Sequence, residues 1–326
     1  MHAASQTLSA TFPNRLYRYA VLSNGRRRHD TGPAKLPTRG LVGRTALITG
    51  SSSGIGRQAA LHLARAGASI LCTDLQPEPL GAQKVRAEGS RHVPTHELIN
   101  SLGGHADFQK LNVTSEADFK TAIDKSVSFS RNARLDILVN NAGITAFSGG
   151  IEHESVDVLE KMMQINIKGV WLGTKVGVQQ MLKQEPIPFP ADLEEELDSF
   201  NDVPPSVPLR APYASQAGSP IPTVGRRDGD QGARGSRGSI IQIASIHGLI
   251  GGPSEPAYCA SKGAVVNLTR QVACDYAPHR INVNAIAPGY LAGTAMVADI
   301  SPEIADQRRT YWPHQGSARD VAHGVL

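Results

Sequence analysis

The feature that most constrains the fold of this chain is a glycine-rich turn between an apolar run and a helical pattern. The apolar run covers residues 44–50, the turn reads TGSSSGIG over residues 49–56, and an amphipathic pattern follows. Gly50 permits a tight turn, Gly54 lets the backbone approach a ligand, and Gly56 lets the helix pack closely on the strand. The sequence therefore predicts that free N–H groups at the helix start bind the pyrophosphate of a dinucleotide.

The rest of the chain repeats this alternation of strand and helix patterns. The later candidate strands are 68–74, 106–112, 135–140, 239–244 and 280–287, and the later helical patterns are 95–102, 115–130, 155–183 and 257–277. Strands separated by helices form a parallel sheet that is covered on both faces. We therefore predict an α/β fold, a Rossmann-like doubly wound parallel sheet, in one dinucleotide-binding domain over residues 42–326.

One segment, residues 184–238, interrupts the alternation. It holds 9 of the 21 prolines, together with six glycines, nine acidic residues and five arginines. Proline removes a backbone donor, and the segment has too little apolar surface to offset the entropy cost of ordering it. We predict a mobile surface insertion. A partner-binding element and a misread intron stay open as alternatives, because so long a loop is unusual in a compact domain.

Charge is distributed unevenly along the chain. Residues 1–40 carry seven Lys or Arg against one Asp, a net charge of +6, while the other residues carry 26 basic and 28 acidic side chains. The body of the protein is therefore not basic, which argues against nucleic-acid binding. We interpret residues 1–41 as a basic, disordered leader, with a mitochondrial transit peptide as the alternative. The expected location is cytoplasmic, with mitochondria second.

The apolar runs and the cysteines exclude further classes of protein. No run of about 18 apolar residues is present, so we expect no membrane span. Cys72, Cys259 and Cys274 are odd in number and show no metal-type spacing. This pattern predicts a reduced intracellular protein without disulfides and without a metal site.

Asp74 and Arg57 bear on the kind of dinucleotide. Asp74 ends the second predicted strand, where a carboxylate accepts hydrogen bonds from an adenosine ribose and repels a 2′-phosphate. Arg57 follows the glycine turn, and its cation either attracts a 2′-phosphate or points into solvent. We predict NAD as the cofactor, with NADP as the alternative.

A tyrosine and a lysine lie four residues apart in the stretch YCASK, residues 258–262. On a helix, residues with this spacing share one face. A cation about 5 Å from a phenol, at an effective dielectric of about 20, lowers the phenol pKa from about 10 by roughly 2 units. Tyr258 would then exchange a proton with an alcohol or a carbonyl near neutral pH, assisted by Lys262.

Five motifs in one order carry a resemblance to a known family. They are TGSSSGIG at 49–56, NNAG at 140–143, Asn166, Ser245 and YCASK at 258–262. With them the chain resembles a classical short-chain dehydrogenase/reductase over roughly residues 42–183 and 239–325. The resemblance implies a catalytic domain that moves a hydride between a nicotinamide and a secondary alcohol or ketone. Sugar, polyol and secondary-metabolite substrates all stay open.

The resemblance implies a role for each residue around the reacting group. Tyr258 is the general acid/base, and Lys262 tunes it and binds the nicotinamide ribose. Ser245 hydrogen-bonds the reacting oxygen, and Asn166 anchors a water in a relay to the lysine. An asparagine within a helix is otherwise unfavourable, which agrees with a functional role. A lone histidine, His247, lies at the edge of the expected pocket and receives no role.

The resemblance also implies which residues bind the cofactor. NNAG lies beside the bridge between adenosine and nicotinamide, Asn112 replaces an aspartate near the adenine amino group, and Pro288 begins a turn against the nicotinamide. Thr294 follows Pro288 by six residues, where the family has a threonine after five. The predicted set is Gly50, Ser52, Ser53, Gly54, Ile55, Gly56, Asp74, Asn112, Val113, Asn140, Ala142, Gly143, Tyr258, Lys262, Pro288, Gly289 and Thr294.

The end of the sequence departs from the family pattern. Residues 316–326 resemble the start of the family's last helix, and the seventh strand that follows it in the family is missing. We therefore expect strand 280–287 to be an unpaired edge with an exposed apolar face. Homo-oligomers of the family type are expected to be weakened. The alternative function is a truncated, catalytically idle dinucleotide-binding protein that acts through its insertion.

Overall fold

The computed structural model of the chain describes residues 40–79, 92–188, 235–292 and 315–326. Residues 1–39 of the predicted leader, the greater part of the insertion and Thr294 lie outside the described residues. No helix within those ranges is both long and apolar enough to cross a membrane.

The described elements alternate between strands and helices as predicted. The strands are β1 (Thr45–Thr49), β2 (Ser69–Asp74), β3 (His105–Lys110), β4 (Ile137–Asn140), β5 (Ile187–Pro188), β6 (Gly235–Ser236), β7 (Gly238–Ile243), β8 (Ile281–Ile286), β9 (Leu291–Ala292) and β10 (Gly316–Ser317). The helices are α1 (Gly54–Arg65), α2 (Thr95–Ser101), α3 (Glu116–Phe129), α4 (Val156–Met162), α5 (Gly169–Met181), α6 (Pro256–Tyr276) and α7 (Ala318–His323).

Six of the described strands form one parallel sheet in the order β3-β2-β1-β4-β7-β8. The chain builds outward from β1 to β3, then returns to place β4 on the other side of β1. Ligands of doubly wound sheets bind where the strand order reverses, at the carboxyl ends of the strands. The predicted Rossmann-like fold is confirmed, and its reversal lies between β1 and β4.

The central strand explains why both faces of the sheet need cover. All five residues of β1 are buried, and alternate side chains point to opposite faces. Ala46 and Ile48 pack into a core that includes residues of α1, while Leu47 packs into a second core that includes Phe119 of α3. The helices on the two faces thus complete two apolar layers around one sheet.

The two ends of the predicted insertion, residues 184–188 and 235–238 (the stems), have defined positions. β5 pairs antiparallel with β6, and the buried side chain of Gln184 bonds the backbone N–H and carbonyl of Leu135, just before β4. Arg134 donates to the carbonyls of Glu185 and Arg237. The structure therefore differs from the prediction at both ends of the segment 184–238, because buried polar contacts offset the cost of ordering them.

The last described elements lie beside β8 and α1. β8 is at one edge of the sheet, as expected, and the described residues supply no strand beyond it. Its exposed side chains are Asn282 and Asn284, so the expected exposed apolar face is not found on this strand. Its apolar residues alternate with the asparagines and point into the core. Val321 and Val325, in and just after α7, join the core beside α1.

Candidate active site

A cavity of about 320 Å³ opens at the carboxyl ends of the strands, where the strand order reverses. Its wall contains residues that directly follow β1, β4 and β7, namely Gly50, Asn141 and Ala244, and Pro288 of the turn after β8. These residues are far apart in the sequence and meet because parallel strands end at the same edge. The cavity is therefore the place where the predicted site residues can converge.

The glycine turn is built as the sequence predicts. Gly50 adopts a φ of +66°, in the left-handed region that favours glycine, and a side chain at Gly56 would overlap the Gly50 carbonyl. Ser53, the residue before α1, makes no side-chain bond to the helix N–H groups. These donors are therefore left for an anion at the helix start. The cradle fits the pyrophosphate of a dinucleotide.

Asn141 and Thr49 hold the turn in place, and neither is among the predicted site residues. The Asn141 amide donates to the carbonyls of Thr49 and Gly50 at 2.8 and 3.1 Å. The Thr49 hydroxyl accepts from the backbone N–H of Asn141 and Ala142 at 2.9 and 3.0 Å. The two loops after β1 and β4 are thus fastened together. The predicted site residue Asn140 is instead buried on the side of the sheet that faces α5, where its amide donates a hydrogen bond to the Thr174 hydroxyl.

Asp74 lies in the cavity wall beside the glycine turn, where two hydrogen bonds hold it. One carboxylate oxygen accepts from the backbone N–H of Ser52 at 3.1 Å and the other from that of Leu75 at 2.8 Å. Arg57 is in neither of the two expected positions. Its buried guanidinium donates to the Val93 carbonyl at 2.8 Å and to the Thr95 hydroxyl at 3.0 Å, which fastens α1 to the start of α2.

Tyr258 and Lys262 share the face of α6 that borders the cavity, as their spacing predicts. The Lys262 ammonium lies 5.8 Å from the centre of the Tyr258 ring and donates to the Ile243 carbonyl at 2.8 Å. Burial lowers the pKa of Lys262 to about 8. Lys262 therefore stays mostly protonated at pH 7, although burial makes its charged form less favourable than it is in water.

Asn166 lies behind the cavity wall, at a point where the predicted helix is interrupted. The predicted helix 155–183 contains a π-helical stretch, Met163–Lys168, between α4 and α5. Such stretches often mark functional sites. The fully buried Asn166 amide accepts from the N–H of Ile144 and donates to its carbonyl, both at 2.9 Å, and donates to Ser261 at 3.0 Å. Its side chain thereby joins the loop after β4 to α6.

Ser245 follows β7 and borders the cavity beside Tyr258. Its hydroxyl accepts from the N–H of His247 at 3.2 Å, so the side chain is held by the turn that it begins. The N–H of Ile246 donates to the carbonyl of Pro288 at 2.9 Å, which joins this turn to the one after β8. The two turns form one wall of the cavity.

The structure brings most of the predicted residues to the cavity. Those in its wall are Gly50, Ser53, Gly54, Ile55, Asp74, Asn112, Val113, Ala142, Gly143, Ser245, Tyr258, Lys262, Pro288 and Gly289. Ser52, Gly56, Asn140 and Asn166 are not in the wall. Thr294 lies outside the described residues. Polar wall residues outside the predicted set include Thr145, His247, Glu255 and Tyr290.

Comparison with known proteins agrees with this geometry. The family model for short chain dehydrogenases matches residues 44–186 and 230–305. The chain belongs to the short-chain dehydrogenase family. It is therefore an NAD(P)-dependent oxidoreductase, and its glycine turn fits the cofactor of that family.

Individual relatives of this short-chain dehydrogenase cover most of its length. An uncharacterized oxidoreductase of Thermotoga maritima is 31% identical over 87% of this chain and 89% of its own. A cyclopentanol dehydrogenase of Comamonas sp. is 30% identical over 76% of this chain and 73% of its own. A Beutenbergia cavernae structure, provisionally an NAD(P)-dependent gluconate 5-dehydrogenase with NADP at low occupancy, is 26% identical, with a TM-score of 0.61. The similarity covers 89% of this chain and 90% of that one.

Proposed function

We propose that this enzyme transfers a hydride between NAD and a neutral secondary alcohol or its ketone, with Tyr258 as the general acid/base. The observation that carries the proposal is the position of Tyr258 and Lys262 on one face of α6, at a cavity that also holds the glycine turn. The cavity joins the cradle for a dinucleotide to a phenol that can exchange a proton. This arrangement serves oxidation of an alcohol or reduction of a ketone.

Three residues of the wall, and Asn166 behind it, have distinct tasks in this proposal. Ser245 hydrogen-bonds the reacting oxygen, and Tyr258 takes the proton of an alcohol or returns it to a ketone. The Lys262 charge stabilises the phenolate form of Tyr258. Asn166 fixes the loop at Ile144 against α6, so that the wall keeps its shape. When bound, the nicotinamide supplies the hydride acceptor or donor, and Lys262 and the turn at Pro288 would hold it.

Charge in the cavity supports NAD over NADP. The carboxylate of Asp74 lies in the wall, where it can bond the adenosine ribose and would repel a 2′-phosphate. The guanidinium of Arg57 is occupied by Val93 and Thr95 and is not in the wall. No arginine is found among the described wall residues. A 2′-phosphate would therefore meet a negative charge there without a compensating guanidinium.

Charge at the other end of the cavity supports a neutral substrate. Near Tyr258 the described wall contains one carboxylate, Glu255, which lies beside His247. Lys262 is the described lysine of the wall, and the cofactor ribose is its expected partner. An anionic substrate would lack a free cation among these residues. The name of the Comamonas relative, a cyclopentanol dehydrogenase, agrees with a small neutral alcohol.

The proposal is tested by replacing one hydroxyl group. Tyr258→Phe should lower turnover of secondary alcohols with NAD by about a hundredfold to ten-thousandfold, since it removes the proton acceptor. NADH binding, followed by its fluorescence, should persist. Tyr276→Phe is the matched control, because Tyr276 is also on α6 but is outside the cavity wall. Undiminished turnover in Tyr258→Phe would show that another group carries the proton.

A further inference from the structure

Glu154, in the loop after β4, joins that loop to the start of α6. One carboxylate oxygen accepts from the Ser148 hydroxyl at 2.8 Å, and the other accepts from the backbone N–H of Ala257 at 2.9 Å. The N–H of Ser148 in turn donates to the Ser254 carbonyl at 3.2 Å, just before α6. Glu154 and Ala257 are 103 residues apart in the sequence, so only the fold brings them together.

Glu154 takes the place of a cap at the start of α6. The first N–H groups of a helix have no partner within the helix. Glu255, the residue before α6, does not cap them with its side chain, and Pro256 at the first helical position has no N–H to donate. Ala257 comes next, is 2% exposed, and donates its N–H to Glu154. A buried N–H without a partner is costly, so removal of the Glu154 carboxylate should disturb the first turn of α6.

Ser254, two residues before α6, has an unfavourable backbone conformation. Its φ is +64°, in the left-handed region that residues with a side chain rarely adopt. Such conformations persist where the surrounding contacts hold them, and they are concentrated at functional sites. Here the Ser254 carbonyl is held by Ser148, the same residue whose hydroxyl bonds Glu154. Contacts with the loop after β4 thus hold the turn that leads into α6.

Tyr258 lies between two points at which the loop after β4 is attached to α6. Ala257, which bonds Glu154, is the residue before Tyr258. Ser261, three residues after Tyr258, accepts from the Asn166 amide, and the same amide also bonds the backbone of the loop. The two attachments lie on either side of Tyr258 along the helix. Together they fix the part of α6 that carries the phenol.

We propose that Glu154 is a positioning residue that holds the start of α6, and with it the Tyr258 hydroxyl, at a fixed distance from the loop after β4. That loop contributes Ile144, Thr145 and Phe147 to the cavity wall that Tyr258 also borders. A displacement of about 1 Å between a catalytic group and its substrate can lower the rate about a hundredfold. This inference rests on the proposed function, in which Tyr258 exchanges the proton.

The test replaces Glu154 with leucine and with glutamine. Glu154→Leu removes both hydrogen bonds and should lower kcat for oxidation of cyclopentanol with NAD by about tenfold to a hundredfold. The KM for NAD should change by less than about twofold, because the glycine turn is not touched. An amide can accept from the Ala257 N–H and bond the Ser148 hydroxyl, so Glu154→Gln should restore most of the wild-type kcat. The control Glu152→Leu removes a carboxylate of the same loop that is 68% exposed beside His153, and it should leave kcat unchanged.

Two measurements separate positioning from a general loss of structure. The residual turnover of Tyr258→Phe should fall little further when Glu154→Leu is added, since a hydroxyl that is absent cannot be displaced. Hydrogen exchange of the Ala257 amide should be faster in Glu154→Leu than in the wild-type enzyme, and Glu154→Gln should slow it again. Thermal unfolding and NADH binding verify that each variant is folded. If Glu154→Leu does not fold, Ser148→Ala takes its place, because it removes one of the two bonds and should lower kcat about threefold.

The outcomes distinguish this inference from the function on which it rests. An unchanged kcat in Glu154→Leu, or an equal loss in Glu154→Gln and Glu154→Leu, would overturn the role of Glu154 and leave the dehydrogenase proposal standing. An additive loss in the double variant would overturn it as well, because Glu154 would then act on something other than the Tyr258 hydroxyl. If wild-type enzyme binds NADH but converts neither cyclopentanol, cyclohexanol and 2-butanol nor their ketones, both proposals are wrong.

Discussion

Replacing Lys262 with methionine should stabilise the protein while it destroys the proposed activity. Burial lowers the Lys262 pKa from 10.5 to about 8. Since one pKa unit corresponds to about 1.4 kcal/mol, the buried charge destabilises the fold by about 3 kcal/mol at pH 7. The lost hydrogen bond to the Ile243 carbonyl offsets about 1 kcal/mol of the gain. Lys262→Met should therefore raise the free energy of unfolding by about 2 kcal/mol, or the melting temperature by roughly 4–8 °C.

The stability difference between Lys262→Met and the wild-type protein should depend on pH. The folded lysine has the lower pKa, so the unfolded chain binds more protons between about pH 8 and 10.5. The destabilisation is therefore full below pH 8 and disappears as pH rises toward 10.5. Urea unfolding of both proteins across this range should show the advantage of the variant shrinking with pH. Lys183→Met, an exposed helix-end lysine, is the control.

A Lys262→Met enzyme that is less stable than wild type at pH 7 would refute this reasoning. It would mean that the contacts of the ammonium outweigh the cost of its burial. A stability difference that stays constant with pH would refute it as well, because a lowered pKa of Lys262 requires the difference to change with pH.

Three further predictions concern the cofactor cradle and the helix pair α1 and α7. Asp74→Asn should lower the affinity for NADH and raise that for NADPH, each about tenfold, since it removes the carboxylate that we propose binds the adenosine ribose; thermal shifts with the two cofactors measure it. Gly56→Ala should abolish NADH binding in fluorescence titrations, because its side chain would overlap the Gly50 carbonyl. Burial and the neighbouring His323 lower the pKa of His62, so stability should fall as pH drops below about 6.5, and His62→Gln should weaken that fall in urea unfolding.

Much of the fold could be predicted from the sequence because it rests on local signals. The apolar run before Gly50 and the four-residue spacing of Tyr258 and Lys262 each depend on a few neighbouring positions. Strand and helix periodicity located each of the six main strands to within a few residues. The π-helical stretch around Asn166 could not be predicted in this way, because it replaces one hydrogen-bond spacing with another without changing the composition.

The remainder of the site depends on contacts between distant parts of the chain. Arg57 is buried because Val93 and Thr95, on another element, accept its hydrogen bonds. His247 received no role from its sequence position, since Glu255 and Tyr290 meet it only once β7, β8 and α6 are packed together. Asn141 was passed over for Asn140, and only the alternation at the end of β4 shows which of them faces the cavity.

The stems formed by β5 and β6 attach at the amino end of β7, and the cavity opens at its carboxyl end. A strand of six residues rises about 3.3 Å per residue, so roughly 20 Å separates the two ends. A tag joined directly at Pro188 or at Gly235 would consequently be attached at the end of the sheet opposite the cavity. The length of the sheet thus separates this attachment point from the cavity.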